Sequence, residues 1–202
     1  MDRLRKQDWI VHPANRDKAL AIVRDFHYAG GAANTGIIHG LYRAHPLELC
    51  GVAWWIPPTR SCAAAWWDRP EEVLSLSRLA LLPEVPRNGC TFLLAASVRL
   101  LAPQWRCLIT YADTWQGHTG AIYRAAGWEY LGLTKPERTY MMDGKMVARK
   151  AGPRTRTHAE MLALGADCIG SFARHRFRLV RKAPLRRSAV EGPISTMSML
   201  FT

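Results

Sequence analysis

The sequence has few acids for its length. Its 202 residues hold 16 Asp and Glu against 28 Lys and Arg, leaving a formal net charge of +12. An excess of that sign repels cationic partners and draws phosphates. Long apolar runs are missing too. None approaches the roughly 20 residues that a bilayer-spanning helix needs, so no membrane association is expected. The start, Met1 to Asp8, is charged but has no apolar stretch behind it, so a secretory signal is not expected. The five cysteines (Cys50, Cys62, Cys90, Cys107 and Cys168) include no Cys-x-x-Cys pair, which excludes a zinc ribbon or a thioredoxin-like motif. Reduced, mostly buried thiols in a cytoplasm are expected. There is no internal repeat, no low-complexity tract and no signal for an oligomeric state.

Apolar residues make up 49% of the chain, enough for one substantial core at this length. The charge is uneven. Residues 149–187 hold eleven Lys or Arg and two acids, a net of +9, and the remainder carries only +3. Phe172, His175 and Phe177 are interleaved among those arginines, a pattern suited to nucleic acid. Arg174, Arg176 and Arg178 are the expected phosphate contacts. A solvated basic tail is the plainer alternative. The expected organisation is one domain over residues 1–187, including the basic C-terminal segment, with 188–202 as a weakly ordered tail.

Asn15 can cap a helix whose Ala19, Ile22, Val23 and Phe26 share one face, and Gly30-Gly31 ends it. Residues 36–42 and 49–56 read as a hairpin, and 57–72 as a long loop. Residues 73–81 form a strand, 91–101 a buried helix and 107–113 a second strand. A helix around Ile122 to Ala126 and a strand over 128–132 follow. Strand–helix–strand units imply right-handed crossovers and a parallel pair within a mixed sheet. The fold class is therefore α/β (α+β), a mixed sheet flanked by helices with a basic C-terminal extension.

Several residues are placed for chemistry. Asp113 ends a strand, where open α/β sheets bind ligands, and could accept a proton, hold a metal or merely cap a helix. Arg78 lies among apolar or small strand residues and needs an anion, either a ligand phosphate or a carboxylate such as Asp113. His27 and Tyr28 close the first helix, where the dipole would favour a protonated imidazole. Tyr123 can pack in the core with its hydroxyl satisfied, and Ser97 can permit close packing of a buried helix. His118, in a turn, can donate to a phosphate or cap a helix. Trp66 and Trp67 lie near Arg60 and Arg69 and suit stacking on a displaced base, or else cover an apolar patch. Of Trp54 and Trp55, which alternate across a strand, one is expected in the core.

Three pieces resemble the GNAT (GCN5-related N-acetyltransferase) superfamily: the hairpin with Cys50-Gly51-Val52-Ala53, the turn Arg87-Asn88-Gly89-Cys90, and Ala121-Ile122-Tyr123-Arg124-Ala125-Ala126-Gly127-Trp128. That resemblance implies a GNAT-like sheet and acetyl-CoA held at Arg87, Asn88, Gly89 and Cys90, where amides at a helix start meet the diphosphate. It also implies that Tyr123 lies near the CoA sulfur and can protonate the leaving thiolate. Phe26-His27-Tyr28-Ala29-Gly30, Leu76-Ser77-Arg78-Leu79-Ala80, Asn88 to Ser97, Thr110-Tyr111-Ala112-Asp113 and Gly117-His118-Thr119-Gly120-x-Ile122-Tyr123-x-Ala125 resemble the phage Mom family more closely, over roughly residues 20–180. The resemblance implies an enzyme that converts adenine in double-stranded DNA to N6-carbamoylmethyladenine and so protects it from restriction. It places Tyr28, Arg78, Ser97, Asp113 and Tyr123 at positions important for activity. Carbamoylmethylation joins nitrogen to a former methyl carbon, which must be oxidised, so a redox metal such as iron on His27, Tyr28 and Asp113 is one expectation. A conventional acetyltransferase acting on nucleic acid, polyamine or protein remains open, as does a non-catalytic DNA-binding module.

Overall fold

The structure is a computed structural model that describes residues 3–152 and 154–182. The expected tail 188–202, and the last basic residues before it, lie outside the described residues. Strand β1 (Trp9–Pro13) leads into helix α1 (Arg16–Phe26), whose start is capped by the Asn15 side chain accepting from Asp17 N and Lys18 N. Ala19, Ile22 and Val23 are buried as the spacing predicts, but Phe26 is 47% exposed and leaves that face. Strands β2 (Ile37–Arg43) and β3 (Glu48–Ile56) form the expected hairpin. The loop that follows contains a short helix, α2 (Arg60–Ala64), which Thr59 caps.

Strand β4 (Val73–Leu81), helix α3 (Gly89–Leu100) and strand β5 (Cys107–Asp113) make the parallel crossover unit. Helix α4 (Ala121–Ala125) and strand β6 (Glu129–Leu133) follow. The chain then runs through β7 (Glu137–Met142), β8 (Lys145–Val147), β9 (Lys150–Ala151), β10 (Arg154–Thr155), α5 (His158–Ala163), β11 (Asp167–Phe172) and β12 (Arg174–Val180). The main sheet has the order β1-β2-β3-β4-β5-β12-β6, with β4–β5 as its parallel pair. A smaller sheet, β11-β7-β8, stands beside it. The basic segment is therefore no appendage. Its strand β12 is inserted between β5 and β6, with Phe177 fully buried.

Alternation along the strands gives the sheet two apolar faces. Trp55, Leu74, Leu108 and Phe177 pack with Leu93 and Leu94 of α3. On the opposite face Val52, Trp54 and Ala80 pack with α1, while Val73, Cys107 and Ile109 pack with α2. Both Trp54 and Trp55 are fully buried, one on each face. Among the described residues no helix is long and apolar enough to cross a membrane.

Candidate active site

The site opens where the parallel pair parts. Pairing of β4 with β5 runs from Val73–Cys107 to Ser75–Ile109 and stops. Beyond it Thr110 Oγ1 donates to Leu76 O at 3.3 Å. The gap holds a cavity of about 420 Å³, within the ordinary range for ligand pockets. Its walls come from residues 76–79 of β4, 110–112 of β5, the segment 117–123 entering α4, Cys90 of α3, and His27 and Tyr28.

A bulge decides where Arg78 points. Trp54 pairs with Arg78 and Trp55 with Leu76, so Ser77 is an extra residue on β4. Leu74 and Leu76 face α3, whereas Arg78 and Ala80 face α1. The Arg78 guanidinium donates from Nε to Gly31 O at 2.6 Å and from Nη1 to Ser77 O at 2.7 Å. Among the described residues it forms no ion pair, although burial lowers its pKa. A half-buried cation lining a cavity is a receptor for negative charge.

Asp113 shares the α1 face. The Tyr28 hydroxyl donates to its Oδ2. Its Oδ1 lies 3.9 Å from Arg174 Nε, and Arg174 Nη2 donates to Glu137 Oε2 at 2.6 Å. The carboxylate makes no cap to the turn that follows it, so capping does not account for the residue. Burial, and then the bond to Asp113, raise the Tyr28 pKa and keep the phenol protonated. His27 stacks on Tyr28 with ring centroids 4.4 Å apart, and its Nδ1 accepts from Ala29 N at 3.1 Å. Burial, then the charges of Arg78 and His118, push the His27 pKa down to about 4. The imidazole is therefore neutral, against the expectation from the helix dipole: desolvation outweighs that field.

Tyr123 lines the same cavity from the opposite face of the sheet, packed on Phe177 and Trp128. Burial pushes its pKa up to about 12, with Thr110 beside its hydroxyl. Gly120, at φ +72° just before α4, is needed because a Cβ there would overlap the Phe177 ring. Arg78, Tyr28 and Tyr123 thus line one cavity, with Asp113 bonded to it through Tyr28, and His118 in its wall.

A profile of the Mom protein family matches residues 8–187. The chain belongs to that family. No curated protein matches it by sequence. Among solved structures it is similar to Arabidopsis thaliana NAA60 in complex with acetyl-CoA (TM-score 0.55, 10% identity, covering 86% of this chain and 99% of that one). It is also similar to the IAA acetyltransferase from Bacillus cereus ATCC 14579 (0.53, 8%, 86% and 99%) and to a Bacillus subtilis acetyltransferase in complex with CoA (0.50, 9%, 86% and 98%). Identities this low establish the fold, which is that of the GNAT acetyltransferases.

The remaining expected site residues of this Mom-family protein are placed differently. Ser97 is fully buried, accepts from Trp55 Nε1 at 2.7 Å and lies 2.7 Å from His39 Nδ1. It ties α3 to β2 and β3 and does not line the cavity. Of Arg87, Asn88, Gly89 and Cys90, Cys90 alone lines it, and burial pushes that thiol up to about 11. Asn88 Oδ1 accepts from Leu4 N, and a Cβ on Gly89 would overlap Val85. Packing against the core is enough to require that glycine. Cys90 brings the first turn of α3 to the cavity wall, where its amides would fit the diphosphate of CoA.

Trp66 donates to the Tyr111 hydroxyl and Trp67 to Glu72, both folded over the patch of Val73, Cys107 and Ile109. Arg178 holds Glu129 through two nitrogens, Arg176 donates to Leu131 O, and Arg174 bridges Glu137 and Asp113. These arginines are engaged within the sheet. Among the described residues no three His, Cys, Asp or Glu stand together as a metal site. The Tyr28 proton is directed at Asp113 and its phenolate is disfavoured, so the trio His27, Tyr28 and Asp113 does not fit iron. Sequence reading missed Trp115, whose ring meets Tyr28 edge-on at 5.9 Å. Its place two residues beyond Asp113 was the available signal.

Proposed function

We propose that this Mom-family protein is a transferase that modifies the exocyclic amine of adenine in double-stranded DNA, using acetyl-CoA as donor. One observation carries the reading: the cavity passes through the parted strands, with Tyr123 and Cys90 on one face of the sheet and Arg78 and Tyr28 on the other. A thioester entering from the α3 face would present its acyl end to Arg78 and the Tyr28–Asp113 pair. An amine buried in base stacking is out of reach, so the target adenine must be extruded.

Acetyl-CoA, when bound, supplies the activated carbon. Asp113 takes the proton that the amine loses as its new bond forms. Tyr28 stays protonated, orients Oδ2 and leaves Oδ1 for the substrate. Arg78 stabilises negative charge that builds on the acyl oxygen. Tyr123, protonated at neutral pH, returns a proton to the departing thiolate. Family membership carries the reading further, to N6-carbamoylmethyladenine and protection from restriction. That product joins the amine to the former methyl carbon, so it further takes a two-electron oxidant for that carbon and an ammonia-level nitrogen that displaces the CoA thiolate to form the amide, both from outside the chain.

The test is to incubate the purified protein with duplex DNA and acetyl-CoA carrying isotope in the acetyl group. Label recovered on deoxyadenosine is the expected result. Label found only on polyamine or protein would contradict the DNA assignment, and no transfer to any amine would contradict the enzymatic one.

A further inference from the structure

A second cavity, of about 510 Å³, lies beyond Asp113. The small sheet β11-β7-β8 walls it on one side, and the end of β5 with Trp115 on the other. Tyr28 lines the first cavity and Asp113 the second, so the hydrogen bond between them forms part of the partition. None of the chemistry derived above uses this space.

We infer that the second cavity is the receptor for the extruded adenine, whose exocyclic amine meets the acyl end of the donor beside Asp113, where the Tyr28–Asp113 pair joins the two cavities. The inference rests on the proposed DNA-modifying reading and adds to it the place where the base sits.

Three features point to an amine-bearing base in a DNA strand, and the proposed reaction makes that base adenine. First, Trp115 and Phe172 supply aromatic surface on opposite elements, and every base has a face to stack. Second, the polar groups match the edge of adenine. Asp113 can only accept, as an amine requires. The Trp115 indole N–H is a buried donor with no partner among the described residues, as an unprotonated ring nitrogen requires. Thymine and guanine present a carbonyl and a ring N–H along the same edge, which would set an acceptor against the carboxylate. Third, Arg149 and Lys150 add positive charge at the lining, where a strand's phosphates would pass. Arg174 fixes the far wall by holding both Glu137 and Asp113.

The experiment measures fluorescence anisotropy of labelled 20-nucleotide strands, oligo-dA and oligo-dT, with the full chain at fixed salt. Calorimetry with CoA reports the first cavity separately. The parent should prefer oligo-dA, and Trp115→Ala should remove about tenfold of its affinity, the scale of one lost base stack. Trp115→Phe, which keeps the ring, should stay folded and lose the preference for dA over dT while retaining most affinity for either. CoA binding should be unchanged in both. Equal affinity of the parent for dA and dT overturns the inference, as does a preference that survives Trp115→Phe. So does dAMP binding as tightly as the strand, because the basic lining would then have no role. If label transfer to adenine succeeds but the preference is absent, this placement fails and the proposed function stands. If the preference behaves as expected but no label reaches adenine, the cavity stands as a base receptor and the proposed reaction fails.

Discussion

His27 shows how a local environment overrides a residue's default chemistry. Its ring lies against Tyr28 and faces Arg78, His118 and Asp113, and burial with the nearby cation pushes its pKa down to about 4. The unfolded chain binds that proton near pH 6.5, so between about 6.5 and 4 the unfolded state holds more protons than the folded one. Stability contributed by the neutral imidazole is full above pH 6.5 and is lost as the pH falls through that window. Melting temperatures measured across the window should therefore fall further for the parent than for His27→Gln. Equal slopes would mean that the imidazole is solvated. Asp113 and Tyr28 are coupled differently, since the phenol donates and the carboxylate accepts, and each therefore fixes the other's orientation.

At the level of elements, the site depends on two irregularities, the bulge at Ser77 and the parting of β4 from β5 after Ser75. The parallel pair was legible from strand–helix–strand order, but the place where it parts was not. Neither was the bulge. An unbroken alternation from Leu74 would send Arg78 toward α3, and only pairing with β3 reveals the extra residue. The insertion of β12 between β5 and β6 was equally hidden, because its partners lie far off in sequence and arginines at alternate positions read as a solvated face. Ser97 was assigned by resemblance, and its bonds to Trp55 and His39 became visible only when α3 was docked on the sheet. Gly89 carries a prediction at this scale. A side chain there overlaps Val85 in the core, and overpacking of this kind costs about 1–3 kcal/mol. Gly89→Val should lower the melting temperature along with any loss of CoA affinity. Lost CoA binding at an unchanged melting temperature would show that the glycine meets the ligand instead.

For the whole molecule, the net charge of +12 predicts DNA binding that weakens steeply with salt, by release of counterions. The cations that act should be those free of internal partners. Arg178 donates from two nitrogens to Glu129 Oε2, so Arg178→Ala should change DNA affinity less than about twofold, and Lys150→Ala should lower the salt slope by about one. Equal effects of the two, read from binding isotherms at several salt concentrations, would contradict the placement of the contact surface. Asp113 lines the second cavity and bonds to Tyr28 in the wall of the first, so the proposed reaction turns on it. The most direct measurement is nucleoside mass spectrometry of DNA from cells expressing the parent or Asp113→Asn, with melting temperatures taken on the purified proteins. Modified deoxyadenosine is expected with the parent, with a fall of about a hundredfold or more in Asp113→Asn and closely similar melting temperatures. Undiminished adenine modification in Asp113→Asn, or no modified deoxyadenosine with the parent, would contradict the proposed reaction.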